Sequence, residues 1–405
     1  MTIKSHSKAA SSNLSIGLIV LLIFAFFRPI ATSIHHVGTI STLDIFGIGS
    51  SYLMILGILC SIKKVRLDMT LLLMLYFSFY VVLSLWWGSE YRDAVRMILP
   101  FLAFVLAAAA IRSEKDIRMV LYSLILGYLI PILGSTFLIL IGKSETVIGS
   151  NLLERHAGLA SGAHSLGHAM LFFSFIYGLY LLMVDRTKKP TEFKIVTILL
   201  VLSLFCMFKS YTRTVFLGSV IFWSTYLWQR NKKALILLAA VGSVIGVLYM
   251  ADAQNLLWQT RGLKKPTYDI STASSGRTWI WEHNLKLLSN QPSTRIIMGV
   301  GLGNELDYVP GSFDKWVGSH NDYLSLIITL GVLGLMIYLM IYGAVFNAIL
   351  KSKIDRQFKY FFLGLMVAVF IMNFVSNSYI VRFQMAQLLW LFVGLFYAMR
   401  HMKAS

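Results

Sequence analysis

Apolar residues in this chain arrive in runs of about twenty, each closed by a charged or polar break, and that spacing leaves few folds open. About twenty residues of helix cross the roughly 30 Å of hydrocarbon in a bilayer. Inside lipid only helices and closed barrels satisfy every backbone hydrogen-bonding group, and runs this continuously apolar are helices. Composition agrees: 57% of the residues are hydrophobic and 13% charged, with a mean hydropathy of +0.72. A soluble chain carries about 25% charged residues. The expected fold is therefore an all-α polytopic membrane protein of about twelve spans. They fall at 15–34, 43–62, 69–88, 95–111, 119–142, 166–184, 195–209, 214–229, 234–251, 321–348, 360–380 and 385–400. No internal repeat, linker or low-complexity tract divides the chain, so 1–405 is read as one membrane domain. The first run follows Lys4 and Lys8 but lacks a small-residue cleavage site after Arg28-Pro29, so it is kept as an uncleaved span.

The formal net charge is +18. In a soluble chain such an excess would suggest nucleic acid; beside membrane spans it marks topology and meets lipid phosphate, and no nucleic-acid partner is expected. Taking alternate loops, one side holds 21 Lys and Arg and the other holds 7 in its short loops. A further 7 lie in the 252–319 segment between the ninth and tenth spans, which is too long to vote in the positive-inside rule. Both termini are thus expected in the cytoplasm, with the long loop on the opposite, outer face. Cys60 and Cys206 lie within apolar runs and read as packing residues rather than a disulfide or metal framework.

The chemistry-bearing residues gather on that outer face. Ser319-His320-Asn321-Asp322-Tyr323-Leu324 ends the long loop and opens the tenth span. Gly331 and Gly334 follow His320 by eleven and fourteen positions, which on a regular helix at 100° per residue returns each to within about 40° of it. Small residues on one face admit a close neighbour, so His320 is expected to face protein, with Ser319 as its cap. The positive end of the helix favours neutral imidazole, the form a general base needs. A polar residue resting at the membrane boundary is the plainer alternative. Arg213 sits in the tight Lys209-Ser210-Tyr211-Thr212-Arg213-Thr214 turn, whose hydroxyls suit a polar site; for Lys209 snorkelling to lipid phosphate suffices. Arg277 opens a stretch, 277–289, in which Trp281, Leu285 and Leu288 recur at helical spacing, so an amphipathic helix anchored in the outer interface by Trp279 and Trp281 is expected.

Arginine suits a diphosphate because its planar fork makes paired hydrogen bonds and stays charged at any working pH. The outer segments contain no Asp-x-Asp pair, carboxylate cluster or His/Cys ligand spacing for a metal. His164 and His168 are one turn apart but lack an adjacent carboxylate. Arg92, Arg96, Arg155 and His156 are weaker candidates on the same face.

His320-Asn321 followed by Gly331-x-x-Gly334, with Arg213-x-x-x-Leu217 upstream, resembles the signature of the O-antigen ligase and O-antigen or exopolysaccharide polymerase superfamily. Gly276-Arg277 followed by Trp281, then Gly299-Val300-Gly301-Leu302-Gly303-Asn304, is similar to that family's external-loop pattern. The resemblance covers about 200–350 and implies a GT-C-like membrane glycosyltransferase that works without a metal or other cofactor on the periplasmic side of the bacterial inner membrane. It implies an undecaprenyl-diphosphate-linked glycan as donor, and a lipid-linked repeat or lipid A-core as acceptor. By that likeness Arg213 and Arg277 bind the diphosphate and His320 deprotonates the acceptor hydroxyl for an inverting attack. Asn321, Asp322 and Arg155 have supporting roles, although the stretch around Arg155 and Gly158–His168 departs from the family's Asn-containing pattern. The signature does not separate polymerase from ligase. A lipid-glycan transporter or flippase is the rival from another class, but the two related halves common among transporters are not apparent.

Overall fold

A computed structural model describes residues 14–33, 36–37, 40–62, 65–147, 155–233, 236, 277–305, 319–377, 379–380 and 382–403. Apart from position 236, the expected ninth span lies outside the described residues, as do Gly276 and much of the long loop. The other eleven apolar runs are helical. They form α1 (Ile16–Ser33), α2 (Thr42–Leu59), α3 (Met69–Ser84), α4 (Tyr91–Ile98), α5 (Pro100–Ala110), α6 (Glu114–Leu140), α7 (Ala163–Met183), α8 (Pro190–Lys209) and α9 (Arg213–Arg230). After the long-loop helices α10 (Arg277–Ser289) and α11 (Ser293–Met298) come α12 (Asp322–Lys351), α13 (Arg356–Val375) and α14 (Phe383–Met402). Two pairs of two-residue strands complete the described structure: β1 (His36–Val37) with β2 (Ile40–Ser41), and β3 (Thr146–Val147) with β4 (Arg155–His156).

Among the described residues six stretches are long and apolar enough to cross a membrane: Tyr91–Ala110, Glu114–Leu140, Ala163–Met183, Pro190–Lys209, Asp322–Lys351 and Arg356–Val375. Three shorter apolar helices, Ile16–Thr32, Gly49–Leu59 and Met69–Ser84, accompany them. The chain is an all-α, multi-pass membrane protein; the expected total of twelve spans goes beyond these crossings. The fourth run is written as two helices because Pro100 lacks an amide donor and opens α5 at its first turn, yet Leu99 keeps helical dihedrals and the run continues. Helix α6 starts five residues ahead of the expected span. There Ser113 and Asp116 form a reciprocal capping box that holds the polar first turn in the helix, which apolar periodicity does not register.

Helix α7 is the axis of the bundle. Of its membrane-length window 89% is buried, against 28% for α8, which lies at the periphery. A helix that is apolar all round and enclosed by protein needs no polar face. Around it α5 runs along α14, α9 along α13, α1 along α6 and α3 along α12. Edge-to-face and tilted rings fill the centre, as in Phe175–Phe222 at 4.6 Å and Phe222–Phe361 at 5.5 Å between centroids.

Helix α12 is not regular. Gly331 has φ 70° and ψ −177°, which interrupts the helix nine residues into its course. Counting 100° per residue from His320 therefore fails from Gly331 onward, and the expected stack of His320, Gly331 and Gly334 on one face is corrected. The cause is a close backbone approach: a Cβ on Gly331 would stand 2.1 Å from the carbonyl oxygen of Ile297 at the end of α11. The carbonyls released by the break find new donors. Val300 N–H donates to Ile328 O at 2.8 Å, Gly301 N–H to Thr329 O at 3.0 Å and the Tyr80 hydroxyl to Leu330 O at 2.9 Å. The Gly299–Gly303 run is thereby laid against the upper part of α12, below His320.

Candidate functional site

Residue His320 lies just before α12 rather than on it. Asn321 is the N-cap, its Oδ1 accepting from the amides of Tyr323 and Leu324 at 3.0 Å each. Ser319, expected to cap, is instead buried: its hydroxyl donates to Asn321 O at 3.0 Å and lies 2.7 Å from Ser325 Oγ. Glu305 braces this turn, accepting from Ser319 N–H at 3.0 Å and Ser325 Oγ–H at 2.8 Å. His320 itself has φ 50°, and Tyr211, two residues before Arg213, has φ 46°; they are the two non-glycine residues with positive φ among those described. Such left-handed residues cost of order 1–3 kcal/mol and gather where the surrounding structure imposes a geometry.

Helix α10 joins this turn to the end of α13. Arg277 donates from Nη1 to the carbonyl of Val375, and one turn later Trp281 donates from Nε1 to Ser319 O at 2.9 Å. The face of α10 turned to the protein thus carries Arg277, Trp281 and the buried Ile280 and Asn284. Of the residues expected to anchor the helix in the outer interface, Leu285 and Trp279 are exposed, at 53% and 44%, Trp279 stacking on His283, whereas Trp281 turns to the protein. The bonds made by Arg277 and Trp281 decide the orientation of α10.

The segment between α13 and α14 is held from several sides. His164 Nε2 lies 3.0 Å from Ser376 Oγ, and His168 Nδ1 lies 3.2 Å from the Tyr379 hydroxyl. Asp322, the first residue of α12, accepts at Oδ2 from the amides of Tyr379 at 2.9 Å and Ile380 at 3.2 Å. Arg382 closes the segment, donating from Nη1 to Ser165 Oγ at 3.1 Å. Burial lowers the basicity of the Arg382 guanidinium, and the Asp322 carboxylate and Tyr379 oppose that shift. The two α7 imidazoles, one turn apart, pack edge to face at 4.5 Å between centroids.

Arg155 attaches the Arg213 turn to this group. It donates from Nε to Ser210 O at 3.2 Å and from Nη2 to Thr212 Oγ1 at 3.4 Å, immediately before Arg213 at the start of α9. The charges of Arg155, Arg277 and Arg382 all act on the His164 imidazole, so three arginines distant in sequence share one end of the bundle. Arg96 has a different setting: it pairs with Asp93 at 3.2 Å on the exposed side of α4.

Residues 198–339 match the family model for O-antigen ligase. The O-antigen ligase region contains Arg213, Arg277, His320, Asn321, Asp322, Gly331 and Gly334, the positions on which the resemblance was read. It supports membership of the O-antigen ligase and polymerase superfamily and an activity of the glycosyltransferase type on lipid-linked glycans. No curated protein matches the chain. Arg155, His164, His168 and Arg382 lie outside the O-antigen ligase region, and the fold brings them to its edge. Sequence reasoning ranked Arg155 and the two histidines low and did not single out Arg382, Tyr379 or Glu305. The signal for Arg382 was a lone arginine in the short break between two apolar runs on the outer side; for Glu305, the end of the glycine-rich Gly299–Asn304 run.

Proposed function

We propose that the protein transfers an undecaprenyl-diphosphate-linked glycan onto an acceptor sugar hydroxyl at the periplasmic face of the bacterial inner membrane, extending O-antigen or exopolysaccharide. His320 takes the proton from the acceptor hydroxyl, whose oxygen attacks the anomeric carbon from the side opposite the leaving group. The bond from that carbon to the diphosphate oxygen breaks, undecaprenyl diphosphate leaves with the electron pair, and the configuration inverts. Arg213 and Arg277 meet the charge that grows on the diphosphate. Fixed guanidiniums stabilise such charge without reorganising during the reaction, a task that metal ions perform in other transferases. Asn321 caps the helix behind the base, Asp322 ties that helix to the α13–α14 segment, and Arg155 holds the turn that presents Arg213.

The observation that carries this proposal is the 2.9 Å bond from Trp281 to Ser319 O, which joins the helix bearing Arg277 to the turn bearing His320. A base and a leaving-group cation that belong to one transfer must stand on one framework. The test is transfer by the purified protein in detergent, given lipid-linked donor and acceptor. A new glycosidic bond of inverted configuration is expected. A protein that moves donor across a bilayer without forming a bond would be the transporter instead.

The match to O-antigen ligase favours a second reading, transfer of the finished glycan to lipid A-core. A deletion strain separates the two. Single repeats on lipid A-core mean a missing polymerase; long polymer left on undecaprenyl diphosphate means a missing ligase.

A further inference from the structure

Arg382 stands between α13 and α14, outside the residues matched by the family model. Three neighbouring elements spend polar groups on the segment that ends with it. Arg277 of α10 takes the carbonyl of Val375, His164 of α7 meets Ser376, His168 of α7 meets Tyr379, and Asp322 of α12 accepts the amides of Tyr379 and Ile380. A connection between two apolar helices does not need that many anchors to turn the chain. Anchoring of this density holds a side chain in place, and the side chain at its end is a guanidinium.

The surroundings of Arg382 are those of a ligand-binding cation rather than a structural one. It is half-buried, and within the described residues the hydrogen bond it makes is a single one, from Nη1 to the neutral oxygen of Ser165. A guanidinium has five N–H donors, so four remain for a partner with several acceptors. Asp322 acts on it electrostatically, yet the Oδ2 of that carboxylate is spent on two backbone amides. Arg277 holds the carbonyl of Val375, next to the Ser376 that meets His164, and Arg382 holds the hydroxyl of Ser165, next to His164, so the two guanidiniums are attached to adjoining residues.

We propose that Arg382 is a further ligand for the diphosphate of the isoprenoid-linked donor, and that Asp322 is the positioning residue that holds it in place through the Tyr379–Ile380 backbone. This rests on the donor class assigned under Proposed function and extends it to a residue and an element that the motif does not contain. Asp322 also acquires a specific task. Being fixed to α12 directly after His320 and Asn321, it couples the distance between base and leaving-group cation to one carboxylate.

The experiment measures binding of undecaprenyl diphosphate, with undecaprenyl monophosphate as comparison, to the purified full-length protein in detergent through its tryptophan fluorescence. Arg382→Gln is expected to weaken diphosphate binding about tenfold to a hundredfold, the size of one lost charge-assisted contact. Monophosphate binding should change less. Asp322→Asn should weaken diphosphate binding in the same direction, and the double variant should be no weaker than Arg382→Gln alone, because both changes act on one contact. Wild-type diphosphate affinity in Arg382→Gln, beside weakened binding in Arg277→Gln, would overturn the role of Arg382 and leave the assigned donor class standing. Failure of the wild-type protein to bind either lipid would instead defeat the donor class itself. Should Arg382→Gln not fold, phenylglyoxal labelling of the wild type serves, read by mass spectrometry. Protection of Arg382 by undecaprenyl diphosphate is expected, and unchanged labelling overturns the proposal.

Discussion

The two ends of the bundle use charge differently. At the end where α6, α7 and α8 meet, Glu192 accepts from the Tyr122 hydroxyl at 2.7 Å, the Tyr180 hydroxyl at 3.1 Å and Lys189 Nζ at 2.8 Å, and Lys189 also reaches Tyr122 at 3.0 Å. Charge and counter-charge there answer one another within a few residues. At the other end Arg382 donates to the neutral Ser165 Oγ, and Arg155 and Arg277 reach oxygens of distant elements: Ser210 O and Thr212 Oγ1, and Val375 O. Neutral acceptors orient a guanidinium without spending its charge, whereas a carboxylate does both. The first end closes on a local ion pair, whereas the second ties arginines to oxygens of elements distant in sequence.

Substitutions at the two ends should separate these roles. The largest effect is expected for His320→Ala, which should lower transfer about 10²–10⁴-fold, the usual contribution of a general base, while the protein still inserts and binds donor. Measured rates near wild type would take the base assignment away. Next comes Arg213→Lys, with a loss of roughly tenfold in transfer, because an ammonium cannot reproduce the paired contacts of a guanidinium. Full activity in that variant would argue against clamping of the diphosphate. Gly331→Ala should destabilise the protein by about 1–3 kcal/mol in a detergent melt, since φ 70° disfavours any Cβ and the Ile297 carbonyl already occupies the space. Transfer should fall as well, because the break in α12 supports the turn of His320. Smallest of all is Glu192→Gln at the opposite end: transfer within about twofold of wild type, as for substitutions away from a site, with a lower melting temperature. If Glu192→Gln instead removed activity while the melt stayed unchanged, the contrast between the two ends would collapse.

Much of the architecture was legible because lipid leaves a chain so few options. Eleven expected runs are helical over most of their length, and 277–289 is helical and ends at Ser289 as expected. The errors were local and had physical causes. The helix after His320 was treated as regular, and Gly331 breaks it, because a run of apolar residues carries no sign of a neighbouring backbone pressing on one of them. The cap was given to Ser319, although Asn321 holds the helix amides and Ser319 turns inward to Glu305 and Ser325. Trp281 was expected to anchor α10 in the outer interface beside Trp279, whereas its indole N–H is taken by Ser319 O.

The candidate site divides in the same way. Arg213, Arg277 and His320 could be named because each stands in a short motif at a run's edge, and the family match covers all three. Arg382 and its anchors could not, since no short motif connects position 164 with 322 or 382.

Hydrophobic length and the distribution of lysine and arginine are local properties, and from them the sequence alone determined a multi-pass helical chain with its polar chemistry gathered at one set of helix ends. Which of those polar groups face one another depends on how the helices are arranged around α7, and that is a matter of side-chain fit over long separations. Tertiary structure alone decided that His164 and His168 hold the α13–α14 segment, that Asp322 reaches its backbone, and that Arg382 stands with Arg155 and Arg277. Burial is driven by area and is indifferent to partner, while a hydrogen bond needs one acceptor at one distance and angle, and only the packed bundle supplies that geometry.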